Sequence, residues 1–229
     1  MPVNPAEIRV FEMSLMDPYF DYCGGISQHV KHQYGSLMNS CISRASPDKN
    51  DFTAIVVDSG ALIGELCTPF LNSGRSNRET SIPVINDDRL EASIANGVGY
   101  IGGGSESEVY QNGMIVSDLC NMGKIRLLLS TFAIRNYPIT GIKTMYLSGI
   151  PQDEYKKPDI NKIAQIINKV GGQSQVGNIC TIYVGKSEYI PLVMKAFQLT
   201  PEEYNYVNPY EGGIVKGIAK DLFKAIFKK

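Results

Sequence analysis

The 229-residue chain has no tryptophan and only two histidines, His29 and His32. Both fall on one amphipathic segment, away from its apolar stripe. No H-E-x-x-H or other ligand pattern accompanies them, so the sequence offers no metal site. With no third histidine and no G-x-S-x-G, it also argues against a serine-hydrolase triad, and a cysteine protease meets the same shortage.

Cysteine is sparse too. Cys23, Cys41, Cys67, Cys120 and Cys180 are odd in number and widely spread, with no C-x-x-C among them. That argues against a disulfide framework and a zinc knuckle, and favours reduced, buried thiols in a cytoplasmic-type compartment. Net charge is nearly absent, at −1, so no global field draws the chain to nucleic acid or anionic lipid. No apolar run approaches the roughly 18 residues of a membrane span. The opening MPVNPAEIRVFEMSLM lacks the basic region and apolar core of a signal peptide. Repeats and low-complexity tracts are missing as well.

What is present is an ordinary globular composition, 43% apolar and 20% charged, long enough to bury a sizeable core. Asn4-Pro5-Ala6-Glu7 has the cues of a helix start, although the following IRVFEMSLM also fits a strand. Apolar residues from Ile26 to Ala45 recur at helical spacing. DFTAIVVD (51–58) is a β-branched apolar run that predicts a buried strand, and Ser59-Gly60 turns it into a helix through Phe70. Residues 72–81 form the clearest loop, holding Arg75 and Arg78.

Further along, Ile82–Ile85 fits a strand, and Asn86 fits the cap of a helix opening with Asp87 and Asp88. Val98–Ile101 predicts a strand leading into a helix over 106–122. Ile125–Ile134 fits either helix or strand. Ile142–Leu147 and Asn178–Val184 predict strands; 159–170 and 189–199 predict helices, the first stopped by Gly171-Gly172. Thr200-Pro201-Glu202-Glu203 looks like another helix start, halted by Pro209. Strands alternating with helices predict an α/β fold, with a mixed or mostly parallel sheet covered by helices. A single domain over 1–229 is the simplest organisation, with candidate boundaries in 72–81 or near 151–158.

The motif YIGGGSESE (100–108) joins a strand, three glycines and a helix start. Backbone N–H groups of Gly103, Gly104 and Ser105 could meet an anion there. Ser107 stands where the third glycine of G-x-G-x-x-G belongs, and Ser105 with Glu108 has capping-box spacing, which favours a helix start over a phosphate cradle. Gly185-Lys186-Ser187 resembles the end of a P-loop, but Cys180 replaces its first glycine within a strand. Lys186 remains a candidate anion contact beside Gly185. Asp58, Ser59 and Gly60 sit where an open α/β sheet binds ligands, at the C-terminal end of a buried strand. The same three residue types also favour turns.

The segment from Gly212 to Lys229 carries +4 and leaves −5 for the rest of the chain. Ile218, Leu222, Phe223, Ile226 and Phe227 gather on an apolar side, while Lys216, Lys220 and Lys224 recur every four residues. Such an amphipathic helix packs on its own domain or on a second copy, and the same pattern suits a partner's groove or an anionic membrane surface.

DINKIAQIINKV, ICTIYVGKSE, IPLVMKAF and NPYEGGIVKGIA together resemble the closing part of the actin, sugar-kinase and heat-shock ATPase superfamily. The resemblance implies that Gly185 and Gly212-Gly213 approach a nucleotide. It covers under a third of the chain, and Gly185-Lys186 stands where that superfamily usually has Gly-Gly. It does not assign membership. The sequence therefore predicts a protein that binds a small anionic or nucleotide-like ligand at strand ends. It specifies no catalytic residue or cofactor. The alternative is a structural protein that self-associates through residues 212–229.

Overall fold

The computed structural model describes residues 7–12, 52–58, 60, 63, 67, 85, 87–102, 106–172, 177–197 and 205–206. The strands are β1 (Glu7–Glu12), β2 (Thr53–Val57), β3 (Val98–Ile101), β4 (Leu127–Thr131), β5 (Thr144–Leu147), β6 (Ile179–Val184) and β7 (Asn205–Tyr206). The helices are α1 (Asp88–Ile94), α2 (Glu106–Asn121), α3 (Ile160–Ile167) and α4 (Ile190–Phe197), with 3-10 turns at Phe132–Asn136 and Ser187–Tyr189. The fold is α/β. The strands form one seven-stranded sheet in the order β3-β4-β2-β5-β6-β1-β7, and every pairing in it is parallel.

Side-chain alternation divides the sheet into two unlike faces. On one, Ile8, Val10, Ala54, Val56, Met145, Leu147, Ile182 and Val184 are all fully buried. They join one core with Val116 of α2, Ile134 of the first 3-10 turn, Ile163 and Ile167 of α3, and Val193 of α4. The other face carries Thr53, Thr144, Thr181 and Arg9 in register, followed by Ile55, Tyr146, Tyr183 and Phe11. Tyr183 stacks on Tyr146 at 5.1 Å and on Phe11 at 5.8 Å between ring centroids.

Right-handed crossovers explain which face the helices take. The steps β3→β4, β4→β5, β5→β6 and β6→β7 all run toward the β7 edge, and their helices share the aliphatic face. The step β2→β3 runs the opposite way. Its helix α1 starts on the other face, where the Tyr100 hydroxyl meets its cap, Asp87.

Local chemistry sets the helix ends. Asp87 Oδ1 accepts the N–H groups of Arg89 and Leu90, and Asp159 Oδ1 accepts that of Lys162. Helix α2 ends in a Schellman motif: Gly123, at φ 70°, donates to Cys120 O, and Lys124 N–H donates to Leu119 O. Helix α3 ends at Ile167 with Asn168 as its cap, short of the expected stop, because Val170 already bridges Ile142. Gly171 and Gly172, both at positive φ, follow that bridge and do not cap the helix.

Of the two alternatives for IRVFEMSLM, residues 7–12 take the strand, β1, because EIRVFE alternates polar and apolar side chains and pairs along β6. Two further expectations need correction. The cap of α1 is Asp87, one residue after Asn86, because its carboxylate reaches two free N–H groups. Asn205–Tyr206 pair with Glu7–Ile8 as an edge strand, which interrupts the helix expected from Thr200 to Pro209. Ile85 is buried but belongs to no strand. Ile125–Ile134 resolves into β4 and the start of the 3-10 turn. Gly60, Ile63 and Cys67 are helical, as the sequence predicts for the segment after β2. The helix over 26–45, the loop over 72–81, both histidines and residues 212–229 lie outside the described residues.

Candidate functional site

In a parallel sheet all strand C-termini share one edge. Here Asp58, Gly102, Thr131, Ser148 and Gly185 line up along it, each at or just beyond the end of its strand. The chain leaving β2 heads for β3, toward one side of the sheet, while the chain leaving its neighbour β5 heads for β6, toward the other. Where the connections of neighbouring strands diverge in this way, open α/β sheets take ligands in the crevice between the two strand ends.

Three residues define this crevice. Asp58 is exposed at the end of a strand whose Ala54–Val57 are fully buried. A Cβ placed on Gly149 would lie 3.7 Å from Asp58 Cβ, 3.7 Å from Phe132 Cζ and 3.9 Å from Asp58 Oδ2. These are ordinary contact distances, so the glycine leaves space beside the carboxylate. Ser148 fixes the β5 wall, with its N–H donating to Val56 O at 3.0 Å and its hydroxyl donating to the same oxygen at 3.1 Å.

On the β6 side the chain is tight. Gly185 N–H donates to Leu147 O at 2.9 Å, and a Cβ on Gly185 would fall 2.2 Å from Ser148 O. Gly185 is therefore required by the crossing of two backbones. Lys186 follows, its ammonium 3.7 Å from Glu188 Oε1 and 5.8 Å from the Tyr189 ring centroid. On the β4 side Thr131 Oγ1 accepts the Ala133 N–H and opens the 3-10 turn that carries Phe132. Gly102, at φ 120°, approaches Thr131 and Ile63 so closely that a Cβ would come within 3.0–3.1 Å of them.

The structure thus brings Asp58, Gly60, Gly185 and Lys186 to the same sheet edge. Ser59, Gly103, Gly104 and Ser105 lie outside the described residues, as do Lys216, Ile218, Lys220, Leu222, Phe223, Lys224, Ile226 and Phe227. Gly149, Ser148 and Phe132 were not among the sequence candidates. A signal was present, since β5 ends in Leu-Ser-Gly much as β2 ends in Val-Asp-Ser-Gly.

Elsewhere, three cysteines belong to the scaffold. Burial pushes the Cys67 thiol up to about 12 and the Cys180 thiol up to about 11, and raises Cys120 as well. All three thiols are free and buried, hence inert. Among the described residues no group of three or more His, Cys, Asp or Glu is placed to hold a metal ion, and no helix is long and apolar enough to cross a membrane.

No protein family model matches the chain, and no curated protein matches its sequence. Among solved structures, it is similar to the C-terminal domain of the DEAD-box protein Dbp5 at 11% identity and TM-score 0.48, covering 95% of this chain and 97% of that one. A variant of the S. cerevisiae Dbp5 C-terminal domain bound to a Gle1 variant and IP6 gives 10% identity and TM-score 0.44, covering 97% and 99%. S. cerevisiae Dbp5 bound to RNA and ADP BeF3 gives 11% identity and TM-score 0.46, covering 96% of this chain and 46% of that one. All three scores fall below 0.5, so neither the activity nor the ligands of those proteins transfer to this chain.

Proposed function

We propose that this chain binds a small anionic or nucleotide-like ligand in the crevice between β2 and β5. The supporting observation is the exposed carboxylate of Asp58 at the switch point, where a methyl-sized group placed on Gly149 would rest in ordinary contact with it. A carboxylate does not bind an anion directly. It accepts hydrogen bonds from ligand hydroxyl or amino groups, as acidic residues do toward ribose in dinucleotide folds. The negative group would then lie toward Lys186. Each neighbouring strand adds about 4.8 Å, so the ends of β2 and β6 stand roughly 10 Å apart. That separation suits a ligand with hydroxyls at one end and a phosphate at the other.

The test is calorimetry with nucleotides and sugar phosphates on the intact chain and on Asp58→Asn. Loss of about tenfold in affinity in the variant, with an unchanged melting temperature, is the expected result. Absence of binding by the intact chain across the panel would refute the reading.

A second reading rests on the four-residue lysine spacing of 216–228. In it the chain self-associates through the apolar side of 212–229. Light scattering of the whole chain against a chain ending before Gly212 decides this; a monomer in both cases refutes it. Salt-sensitive binding of the whole chain to anionic vesicles would instead assign that segment to a membrane surface.

A further inference from the structure

The sheet face opposite the aliphatic core carries one side chain from each of six strands in a single row: Tyr100, Leu129, Ile55, Tyr146, Tyr183 and Phe11. Its two halves differ. Toward the β3 edge the helical segment after β2 approaches the sheet. A Cβ on Gly102 would lie 3.0 Å from Thr131 Cγ2 and 3.1 Å from Ile63 Cδ1 of that segment. Cys67, further along it, feels the charges of Arg89 and Asp87, and Asp87 is bonded to Tyr100. The β2→β3 connection therefore lies over this half.

Toward the β7 edge the row is aromatic. Tyr146, Tyr183 and Phe11 stack in succession, beside Thr144, Thr181 and Arg9 in the next row. Helices α2, α3 and α4 join the core of the opposite face and do not account for this one. Yet Tyr146 is only 4% exposed, and Phe11, Tyr183, Thr144 and Thr181 are half-buried. A tyrosine standing out from a bare pleated face would be widely exposed. Another part of the same chain must shield it.

Strand order says which part. In a right-handed crossover the direction of the step fixes the face that the connection takes. The step β2→β3 runs toward the β3 edge and brings Ile63 to this face. The step β1→β2 runs the same way, and it passes across β6 and β5, the strands of Tyr183 and Tyr146. Its connection, residues 13–52, returns from the C-terminal end of β1 to the N-terminal end of β2. Within it Ile26, Val30, Leu37, Cys41 and Ile42 recur at helical spacing. A helix over 26–45 spans roughly 30 Å, enough to run the length of a six-residue strand such as β1, roughly 20 Å.

We infer that residues 26–45 seat their apolar stripe on Tyr146, Tyr183 and Phe11, which makes this face an internal seat and not a docking surface for another molecule. Stacked aromatics beside an arginine also suit single-stranded nucleic acid. The burial of Tyr146 within one chain and the direction of the β1→β2 step favour the chain's own segment. The inference is independent of the ligand reading at β2 and β5.

The test is cross-linking in the full chain through Cys41, which the helical spacing places on the stripe. Thr144→Cys and Thr181→Cys each put a second thiol on the seat with little change of side-chain size. A short bis-maleimide should join Cys41 to at least one of them within a single chain, and Cys41→Ser should abolish the product. Asn161→Cys, exposed on α3 behind the opposite face, should give none. Cys67, Cys120 and Cys180 are buried, and peptide mapping separates the Cys41 product from any through Cys23. In the intact chain Cys41 should react with a simple maleimide at least about tenfold more slowly than in urea. The inference is wrong if neither threonine position links to Cys41 within one chain, if Asn161→Cys does, or if folded Cys41 reacts as fast as in urea. A link that forms only between two chains also overturns it and gives the seat to a second copy.

Discussion

Tyr100 of β3 donates its hydroxyl to Asp87 Oδ2 at 2.6 Å, while Oδ1 of the same carboxylate caps α1. One side chain therefore starts a helix and fastens it to the edge strand. Burial raises the Tyr100 phenol well above its usual range, and the bond to Asp87 raises it further. Tyr100→Phe removes the hydrogen bond and retains the ring. It is expected to cost about 1–2 kcal/mol in urea unfolding. Asp87→Ala loses the cap too and should cost more. Equal losses in the two variants would show that the two oxygens do not act separately.

Gly113 and Gly123 both belong to the α2 region but are glycine for different reasons. Mid-helix glycine to alanine ordinarily gains about 1 kcal/mol. At Gly113 the added methyl would fall 2.3–2.5 Å from the Tyr137 ring. Gly113→Ala should therefore destabilise by about 1–3 kcal/mol, the overpacking penalty exceeding the propensity gain. At Gly123 nothing lies within 4 Å, and only the backbone conformation, φ 70°, disfavours a side chain. Gly123→Ala should cost about 1–2 kcal/mol with unchanged packing. Adding Tyr137→Leu should rescue the first variant and not the second.

Much of the fold was legible because burial imposes periodicity. TAIVV of β2 and ICTIYV of β6 are strands in sequence and in structure, and INKIAQII has the helical period of α3. Ambiguity arose where a local cue competed with a long-range one. Asn4-Pro5 resembles a helix start, but pairing with β6, whose sequence lies over 160 residues away, decides β1. Half of the crevice was legible at Asp58. The other half depends on strand order, which brings Ser148-Gly149 beside residues about ninety positions earlier. The left-handed turn at Lys156, φ 59°, was hidden because a lysine occupies a position where glycine would have signalled it.

The buried thiols give the fold an alkaline limit. Cys67 rises from 9.0 to about 12, chiefly by desolvation, and Cys180 from 9.0 to about 11 for the same first reason. Each stays protonated to higher pH in the folded chain than in the unfolded one. Stability from the neutral thiols is intact below pH 9.0 and is lost as pH rises toward about 11–12. The urea midpoint should fall across that window, and the slope should be shallower in Cys67→Ala, whatever its baseline loss. A midpoint that does not change up to pH 11 would contradict the burial of these groups.

Gly149 and Gly185 separate the site from its scaffold. Gly149 follows β5, one side of the crevice, and Gly185 follows β6, the next strand outward, and their surroundings differ. A methyl on Gly149 sits at 3.7–3.9 Å from Asp58 and Phe132, in ordinary contact, whereas one on Gly185 meets the Ser148 carbonyl oxygen at 2.2 Å. The backbone at Ser148 cannot yield easily, because its N–H and hydroxyl are both bonded to Val56 O. Gly185→Ala should therefore lose about 1–3 kcal/mol or more in stability. Gly149→Ala should stay within about 0.5 kcal/mol of the parent. Its methyl nevertheless fills the space beside the Asp58 carboxylate, so nucleotide affinity should fall by about tenfold, equivalent to about 1.4 kcal/mol. Unfolding curves and calorimetry on the same two proteins decide the matter: a Gly149→Ala chain that is stable and binds at full strength would remove the ligand from this crevice.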